Sequence, residues 1–493
     1  MAPAYPSARS SFASAKAPAR EAISSATTTS GRSDRARRSP RSPSDASRKV
    51  TSRPRRRSMP RTASRMSSRE SGSGDTSRTF TAGILPDAAP CPARLSCPDV
   101  TVSTYLDHAS ATPLSEAARR ALVQALDAFG DPLRVHAEGR AARRLLEEAR
   151  AQVAEALHAQ PDEIVFTSGG TESVTLAIWG GVRPIRELGD RIVTSAIEHP
   201  AVGGVLHTLE TDGFTSVLVP VDAEGQVDLD AFAVEVRRPG TLLASLQHAN
   251  HETGTMQLIA EAGRLCREAG VLFHTDACQT VGRLPVDVSA LPVDLLSLSA
   301  HKFGGPPGVG ALYVRRGVPL AAYPCGDDRE RRRRSGMENV PGIAAMAAAL
   351  AAALEDSGDQ AARQWALTAR LRDGLAEIPG VRVHGHRTQR VPHLVCFSAE
   401  GLDAEVLAMA LDERGFRVAA GSNCSGAPNE PSPVLEQMGL PGRVSFRVGL
   451  GRETAAEDVE RFLVALGELV DELRRVQAAS EAAMSRYLSE PEG

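Results

Sequence analysis

Short apolar runs alternate with longer segments of helical periodicity along most of the chain. The apolar runs lie at residues 163–167, 191–195, 242–246, 271–275, 294–298 and 309–314. Between them, apolar residues recur every three or four positions, as over 116–129, which is typical of helices that bury one face. Strands that alternate with helices predict an α/β fold with a mostly parallel sheet. After residue 343, two long helical stretches and strand-like segments near Val381 and Val395 predict a smaller α/β domain.

The first 98 residues show neither pattern. They are rich in Ser, Arg, Ala, Pro and Thr, and residues 1–70 hold 17 Lys and Arg against 4 Asp and Glu. Such a composition cannot bury enough apolar surface to offset the entropy of ordering, so we expect disorder. Three interpretations stay open: an organelle transit peptide, a basic tail for nucleic acid or an anionic surface, or sequence added by an upstream start codon. We favour the last.

The charge and cysteine content of the remaining chain exclude some classes of function. The whole chain has net charge −3, so residues 71–493 carry −16, and an acidic body argues against a nucleic-acid enzyme. No apolar stretch is long enough to span a bilayer, so we expect no membrane association. The seven cysteines form no CxxC pair, which indicates neither a disulfide framework nor a metal site. We therefore expect a reducing, cytoplasmic compartment.

Polar side chains follow two of the predicted strands. Asp276 and Gln279 come after the run 271–275, and Lys302 comes after the run 294–298. Lys302 is the one lysine outside the first 98 residues, and elsewhere arginine carries the positive charge. A desolvated lysine can react covalently with an aldehyde cofactor, whereas arginine stays protonated. The structural alternative for Lys302 is a bias that replaces lysine by arginine on solvated faces elsewhere. The structural alternative for Asp276 is an aspartate that caps a turn.

The segment 163–173 runs from a strand through a Gly-rich turn into a helix that starts near Thr171, with the letters EIVFTSGGTES. Backbone N–H groups at a helix N-terminus, together with a threonine hydroxyl, form a cradle for phosphate. Turns of this kind are also common as simple tight connections. The segment therefore predicts a phosphate site only when it is combined with the other motifs.

Together these segments resemble the cysteine desulfurase branch of the class V aminotransferases, which bind pyridoxal phosphate (PLP). The resemblance covers residues 101–469 and rests on segments with the letters YLDHASATP, TSGGTES, HTDACQT and SLSAHKFGG. It implies a PLP-dependent transferase of fold type I, with a mostly parallel seven-stranded sheet in the large domain. We expect a leader over 1–98, this large domain over 99–342, a small domain over 343–475 and a tail over 476–493. The first residues of the large domain could pack on the small one.

The resemblance also implies individual roles. Lys302 would bind PLP covalently, His199 would stack on the pyridine ring and assist proton transfer, and Arg447 would hold the substrate carboxylate. A carboxylate aimed at the pyridine nitrogen keeps that nitrogen protonated. The other implied cofactor contacts are Gly170, Thr171, Asp276, Gln279, Ser299 and His301.

Two departures from the family pattern lie in the segments before Lys302. His251 stands where the family has an asparagine that donates to the 3′ oxygen of PLP. An imidazole can still donate to that oxygen, and Asn250 is the alternative donor. Asp131 replaces an asparagine in the loop 130–136, where we expect substrate contacts to differ.

Two features of the second half also bear on the chemistry. Met337 stands where the family has a threonine that bonds the partner subunit's phosphate, and such a bond contributes about 1.5–3 kcal/mol. We expect Arg333 or Arg334 to compensate for its loss. Cys424 lies in a Gly/Pro/Ser loop similar to the family's thiol loop, where a thiolate could reach a substrate.

The function that the resemblance implies is conversion of L-cysteine to L-alanine, with the sulfur passed to Cys424 as a persulfide. Lys302 and His199 would move the protons, and the persulfide would supply iron–sulfur clusters or tRNA thiolation. A homodimer and sulfur-acceptor or scaffold proteins are the implied partners. One alternative is another class V enzyme, such as a selenocysteine lyase or an aminotransferase, in which Cys424 is not catalytic. The other is a non-catalytic scaffold.

Overall fold

The computed structural model describes residues 103–421, 431–440, 442 and 444–489. The expected leader over 1–98 and the predicted nucleophile Cys424 lie outside these residues.

Strands and helices follow the alternation that the apolar pattern predicts. The strands are β1 (Thr104–Tyr105), β2 (Ile164–Thr167), β3 (Arg191–Ser195), β4 (Thr215–Val219), β5 (Thr241–Ser245), β6 (Leu272–Asp276), β7 (Leu295–Ser299), β8 (Gly310–Val314), β9 (Val381–His384), β10 (Leu394–Ala399), β11 (Phe416–Arg417), β12 (Ala419–Ala420) and β13 (Phe446–Gly449). The helices are α1 (Glu116–Ala125), α2 (Ala137–Ala156), α3 (Gly170–Val182), α4 (Pro200–Thr211), α5 (Leu229–Val236), α6 (Ile259–Ala269), α7 (Arg329–Arg332), α8 (Val340–Glu355), α9 (Ser357–Glu377), α10 (Ala404–Glu413), α11 (Pro433–Gln437) and α12 (Ala456–Ser489).

Seven strands form the central sheet in the order β2-β8-β7-β6-β5-β3-β4. Neighbouring strands are parallel except where β8 pairs with β2 and with β7. Every residue of β7 and β8 is buried, because helices cover both faces of the sheet. The predicted seven-stranded, mostly parallel sheet is therefore confirmed. The edge strand β4 was not predicted from the sequence, although it contains three consecutive apolar residues, Val217 to Val219.

Helices α3 and α4 cover one face of the sheet, and α2, α5, α6 and α8 contribute to the core on the other. Helix α8 packs against α1 and α2, and its buried residues, such as Ile343 and Leu350, belong to the large-domain core. The expected boundary between residues 342 and 343 is therefore wrong for this helix. Its Ala-rich sequence fits a buried helix as well as it fits the start of a new domain, so composition could not separate the two.

The small domain is an antiparallel sheet in the order β12-β13-β10-β9 with α9, α10 and α12 packed around it. Phe397 and Phe446 stack in its core with ring centroids 5.1 Å apart. Strand β1 pairs with β11, so the first described residues belong to this domain. Helix α12 continues to Ser489, which corrects the expectation of a separate tail from residue 476.

No single helix in the described ranges is both long and apolar enough to cross a bilayer. Helices α8 and α9 meet the length and composition criteria only as a pair, and a bend of 69° separates them.

A buried ion pair fastens the segment after β8 to the large domain. Arg150 on α2 donates two hydrogen bonds to the Glu330 carboxylate, at 2.8 and 2.6 Å, and the backbone N–H of Phe166 donates a third at 2.8 Å. Both side chains are almost fully buried. Glu330 and the two residues after it have positive φ angles of 44°, 57° and 65°, which L-residues rarely adopt. The ion pair therefore holds a strained turn in place.

We expect Arg150→Met to lower the free energy of unfolding by about 3–5 kcal/mol, because the Glu330 carboxylate would stay buried without its cation. Urea denaturation followed by circular dichroism measures this change. Arg143→Met on the exposed side of the same helix is the matched control and should shift the value by less than about 0.5 kcal/mol. Equal losses in the two variants would contradict the importance of the buried pair.

Candidate active site

A cavity of about 280 Å³ opens at the carboxyl ends of β5, β6 and β7, where the polar residues after these strands come together. Most of the site residues predicted from the sequence line it. These are Gly170, Thr171, His199, His251, Asp276, Gln279, Ser299, His301, Lys302 and Arg447. Residues separated by more than 270 positions in the chain thus share one cavity. Open α/β sheets bind their ligands in such a crevice at the carboxyl ends of the strands.

The amine of Lys302 is the most chemically distinctive group in this cavity. A short 3₁₀ turn after β7 places it there, and its Nζ donates to the backbone carbonyls of Ala109 at 2.7 Å and Ser110 at 3.0 Å. Burial, and then the positive charge of Arg447, lower the pKa of Lys302 to about 8. An amine with this pKa is partly neutral near physiological pH, which is the nucleophilic form.

The N-terminus of α3 forms one wall of the cavity. A Cβ atom added to Gly170 would lie 2.7 Å from Sγ of Cys278, so only glycine fits at this position. Opposite this helix end, Ser299 Oγ and His301 Nδ1 lie 3.0 Å apart. Burial and the charge of Lys302 lower the pKa of His301 to about 4, so its ring is neutral. Backbone N–H groups, a hydroxyl and a neutral imidazole together suit a phosphate group.

His199 and Asp276 also line the cavity. His199 is the N-cap of α4, where its Nδ1 accepts a hydrogen bond from Ala201 N at 3.1 Å, which leaves the ring proton on Nε2. Burial lowers the pKa of His199, and the charge of Asp276 opposes this effect. Asp276 ends β6 and accepts from Cys278 N at 3.0 Å. A fixed carboxylate and an imidazole of defined tautomer thus share the cavity.

The residues of the cavity fit PLP when they are tested against its functional groups. The aldehyde can react with the amine of Lys302, whose pKa is lowered. The phosphate can bind at the end of α3, where Gly170 lies. The pyridine nitrogen matches the carboxylate of Asp276. A Cβ at Gly170 would collide with Sγ of Cys278, so glycine lets the helix end approach this side of the cavity closely.

Asn250 does not serve as the alternative donor that the sequence suggested. It is buried outside the cavity wall, its amide nitrogen donates to Ile197 O at 3.0 Å, and its Oδ1 accepts from Glu252 N and Thr253 N. His251 lines the cavity instead, and its Nδ1 has no partner among the described residues. Of the two, only the imidazole is therefore available to a ligand oxygen.

Arg447 on β13 reaches the cavity from the small domain. Its guanidinium donates to His251 O at 2.6 Å, to Asp107 Oδ1 at 3.3 Å and to the Ser110 hydroxyl. Its side chain is 3% exposed. A buried guanidinium at the wall of a cavity is suited to bidentate binding of a carboxylate.

The remaining predicted departures lie away from the cavity wall. Asp131 accepts a hydrogen bond from Arg329 at 2.8 Å, so its carboxylate stabilises the loop. Met337 is 57% exposed. Arg334 bonds the Glu172 carboxylate beside the phosphate cradle at 2.8 Å, and Arg333 donates to the carbonyl of Asp162. Compensation for Met337 by either arginine stays a prediction.

The sequence reasoning missed several residues of the site. Ser110, Gln247, Ala249 and Cys278 also line the cavity. Glu198, next to His199, is half-buried and accepts from Ser195 Oγ at 2.5 Å and Gln247 N at 3.1 Å. Burial raises its pKa to about 8. A polar residue at a strand end was the available signal for Ser110 and Gln247, whereas no local pattern marks the carboxyl group of Glu198 as removed from water.

Known proteins that are similar to this chain in sequence or in structure point to the same family. A profile of the aminotransferase class-V family matches residues 104–462. A protein named cysteine desulfurase IscS from Dictyoglomus turgidum is 41% identical over 377 residues, which are 76% of this chain and 95% of that protein. Among solved structures, a NifS-like protein matches with TM-score 0.71 and 31% identity, over 75% of this chain and all of that one. A cysteine desulfurase from Thermococcus onnurineus NA1 matches with TM-score 0.68 and 27% identity, over 75% of this chain and 95% of that one.

We expect Glu198→Gln to flatten the pH dependence of stability. Between the ordinary carboxyl pKa and about 8, folded Glu198 keeps a proton that the unfolded chain releases, so the free energy of unfolding falls as pH rises. One such group contributes about 1.4 kcal/mol per pH unit. Urea denaturation at a series of pH values should show this slope in the parent and not in Glu198→Gln. The exposed Glu210→Gln on α4 should keep the parental slope, and a parental slope in both would contradict a protonated Glu198.

Proposed function

Because the chain belongs to the aminotransferase class-V family, in its cysteine desulfurase branch, we propose that its cavity converts L-cysteine to L-alanine and passes the sulfur to Cys424. It is a PLP-dependent enzyme of fold type I, as the resemblance implied. The observation that supports the assignment of the reactive group is the buried amine of Lys302, the single lysine after the first 98 residues. It faces a cavity that also holds Asp276 and His199.

PLP, when bound, supplies an electron sink for the negative charge that develops at the substrate α-carbon. Lys302 would hold it covalently, Gly170, Thr171 and Ser299 would bind its phosphate, and Asp276 would keep its ring nitrogen protonated. His251 would donate to its ring oxygen from the unpartnered Nδ1.

The chain's own groups would orient the substrate and move its protons. Arg447 would bind the α-carboxylate, in competition with its present partners Asp107 and Ser110. Lys302, with its lowered pKa, would take the α-proton as a neutral amine. His199 would donate a proton from Nε2, because Nδ1 accepts a hydrogen bond from the backbone of α4.

The sulfur step would use the thiolate of Cys424. Its sulfur attacks the substrate sulfur, so an S–S bond forms and the Cβ–S bond breaks. The electron pair of the broken bond stays with the substrate carbon, which is protonated to give alanine. The products are L-alanine and one persulfide on the enzyme, which balances the atoms and electrons without an external oxidant. Proteins that accept this sulfur for iron–sulfur clusters or tRNA thiolation are the proposed downstream partners.

A second candidate is another class V reaction, such as selenocysteine cleavage or transamination, in which Cys424 plays no part. The presence of His251 in the cavity favours keeping this alternative, because an imidazole changes the donor available to the cofactor. A non-catalytic scaffold is disfavoured, because it would have no reason to keep an amine with a strongly lowered pKa in a cavity with Asp276.

A homodimer in a reducing, cytoplasmic compartment completes the proposal. Apolar side chains on α1 and in the loop after it are exposed, including Phe129 at 78% and Val135 at 86%. Exposed apolar groups at this density mark interaction surfaces. The cysteines within the described residues are free thiols, which is compatible with a reducing environment.

Turnover of L-cysteine tests the chemistry directly. With a reductant present, we expect Cys424→Ser to lose sulfide and alanine production while it keeps the visible absorbance of bound PLP. Lys302→Ala should lose covalently held PLP as well. The exposed Cys325→Ser is the matched control and should turn over like the parent. Full turnover by Cys424→Ser would favour the second candidate reaction.

We expect Phe129→Asp to shift the chain from a dimer to a monomer, because it places a charge in the exposed apolar surface. Sedimentation velocity should show a parent of twice the chain mass and a variant of one chain mass at the same concentration. Met409→Asp, at another exposed apolar position on α10, should remain dimeric. A parent that sediments as a monomer would contradict the homodimer.

A further inference from the structure

The turn at residues 250–253 connects the cavity to the small domain. Asn250 Oδ1 accepts hydrogen bonds from Glu252 N at 2.9 Å, Thr253 N at 2.8 Å and Thr253 Oγ1 at 3.2 Å. These bonds define the backbone of the turn, as in an Asx-type turn. His251, which lies between Asn250 and Glu252 in the turn, lines the cavity. The direction of the next side chain, Glu252, is therefore fixed relative to the cavity.

The carboxylate of Glu252 is buried between the two domains. Its Oε2 accepts from Ser432 Oγ at 2.6 Å and from Ser445 Oγ at 2.9 Å. Glu252 is 2% exposed, and the two serines are 0% and 1% exposed. Burial raises the pKa of Glu252, while the two serine hydroxyls and the charge of Arg447 lower it. Burying a carboxylate is costly, so stability alone is a weak reason to place one here.

The two serines contact the two ends of the segment 421–432. Ser432 is the N-cap of α11, where its Oγ accepts from Leu435 N at 3.1 Å. Ser445 bonds the other end, because its carbonyl accepts from Gly421 N at 2.8 Å. Through one oxygen, Glu252 therefore bonds Ser432 at the end of the segment 421–432 and Ser445, whose backbone pairs with Gly421 at its start; this interval of the sequence contains Cys424.

A parallel connection lies next to this one. Arg447, two residues after Ser445, donates to the carbonyl of His251 at 2.6 Å. Adjacent residues of the turn, His251 and Glu252, thus bond residues 447 and 445 of the small domain. Arg447, which would bind the substrate carboxylate, and the serines that contact the ends of the segment 421–432 are therefore held against the same turn.

We propose that Glu252 is a positioning residue that sets where the ends of the segment 421–432 lie relative to the cavity, and so governs sulfur transfer to Cys424. It does so through Ser432 and Ser445, without touching the substrate. The proposal rests on the function proposed above, because it takes Cys424 as the sulfur acceptor. Displacing a reacting group by about 1 Å can cost about 100-fold in rate.

The test separates the step before sulfur transfer from sulfur transfer itself. In rapid mixing with L-cysteine, Glu252→Ala should keep the parental change in cofactor absorbance, while formation of the persulfide on the Cys424 peptide, followed by mass spectrometry, slows by about 100-fold. Glu252→Gln is the rescue variant, because its amide oxygen can still accept from both serines, and it should stay within about 3-fold of the parent. Persulfide formation at the parental rate in Glu252→Ala would overturn the proposal. Equal slowing of the absorbance change would also overturn it, because that pattern indicates general damage to the cavity.

Hydrogen–deuterium exchange gives a readout that does not depend on Cys424. Amides of residues 415–421 and 431–440 should exchange faster in Glu252→Ala, and exchange at the parental rate would contradict the anchor. If Glu252→Ala fails to fold, the double variant Ser432→Ala, Ser445→Ala removes the same hydrogen bonds and should give the same two effects. Full turnover by Cys424→Ser would instead refute the proposed function, and the exchange experiment would still decide whether Glu252 holds the two flanks.

Discussion

Removing the amine of Lys302 from water is the constraint on which the arrangement of the cavity depends. An ammonium loses solvation when it is buried, and the charge of Arg447 adds to the cost, so the pKa of Lys302 falls to about 8. The fold offsets part of this cost with two backbone carbonyls, from Ala109 and Ser110. These carbonyls come from the first described segment of the chain, which must therefore reach across the ends of the sheet. A reactive amine at this position thus requires long-range contacts and cannot be built by the strand and turn around Lys302 alone.

Hydrogen bonds between buried polar groups also join the two domains. The large domain contributes a turn stabilised by Asn250, and the small domain contributes Ser432, Ser445 and Arg447. A buried carboxylate or guanidinium is tolerable only when it is hydrogen-bonded, so each group restrains the position of its partner. The shape of the cavity consequently depends on contacts between the two domains as well as on the ends of the sheet strands.

Two other acids show that the partner groups decide the chemistry of a carboxyl group removed from water. Glu330 is paired with Arg150 and holds a strained turn, whereas Glu198 has no cationic partner among the described residues and its pKa rises to about 8. Glu198 supports the loop that presents His199, and its neutral form avoids a second negative charge near Asp276. The carboxyl group of Glu198 can therefore serve as a neutral hydrogen-bond acceptor beside His199.

The sequence was sufficient to predict the α/β fold, the alternation of strands and helices, and most of the groups that line the cavity. It could do so because apolar periodicity and the motifs around Lys302, Asp276 and Thr171 are local in the chain. The tertiary structure alone decided what depends on distant partners. It placed α8 in the large-domain core, gave Asn250 a structural task, and brought Glu252 between two serines about 180 and 190 residues away. Whether a polar side chain is buried, and which groups satisfy it, is set by long-range packing that no local pattern encodes.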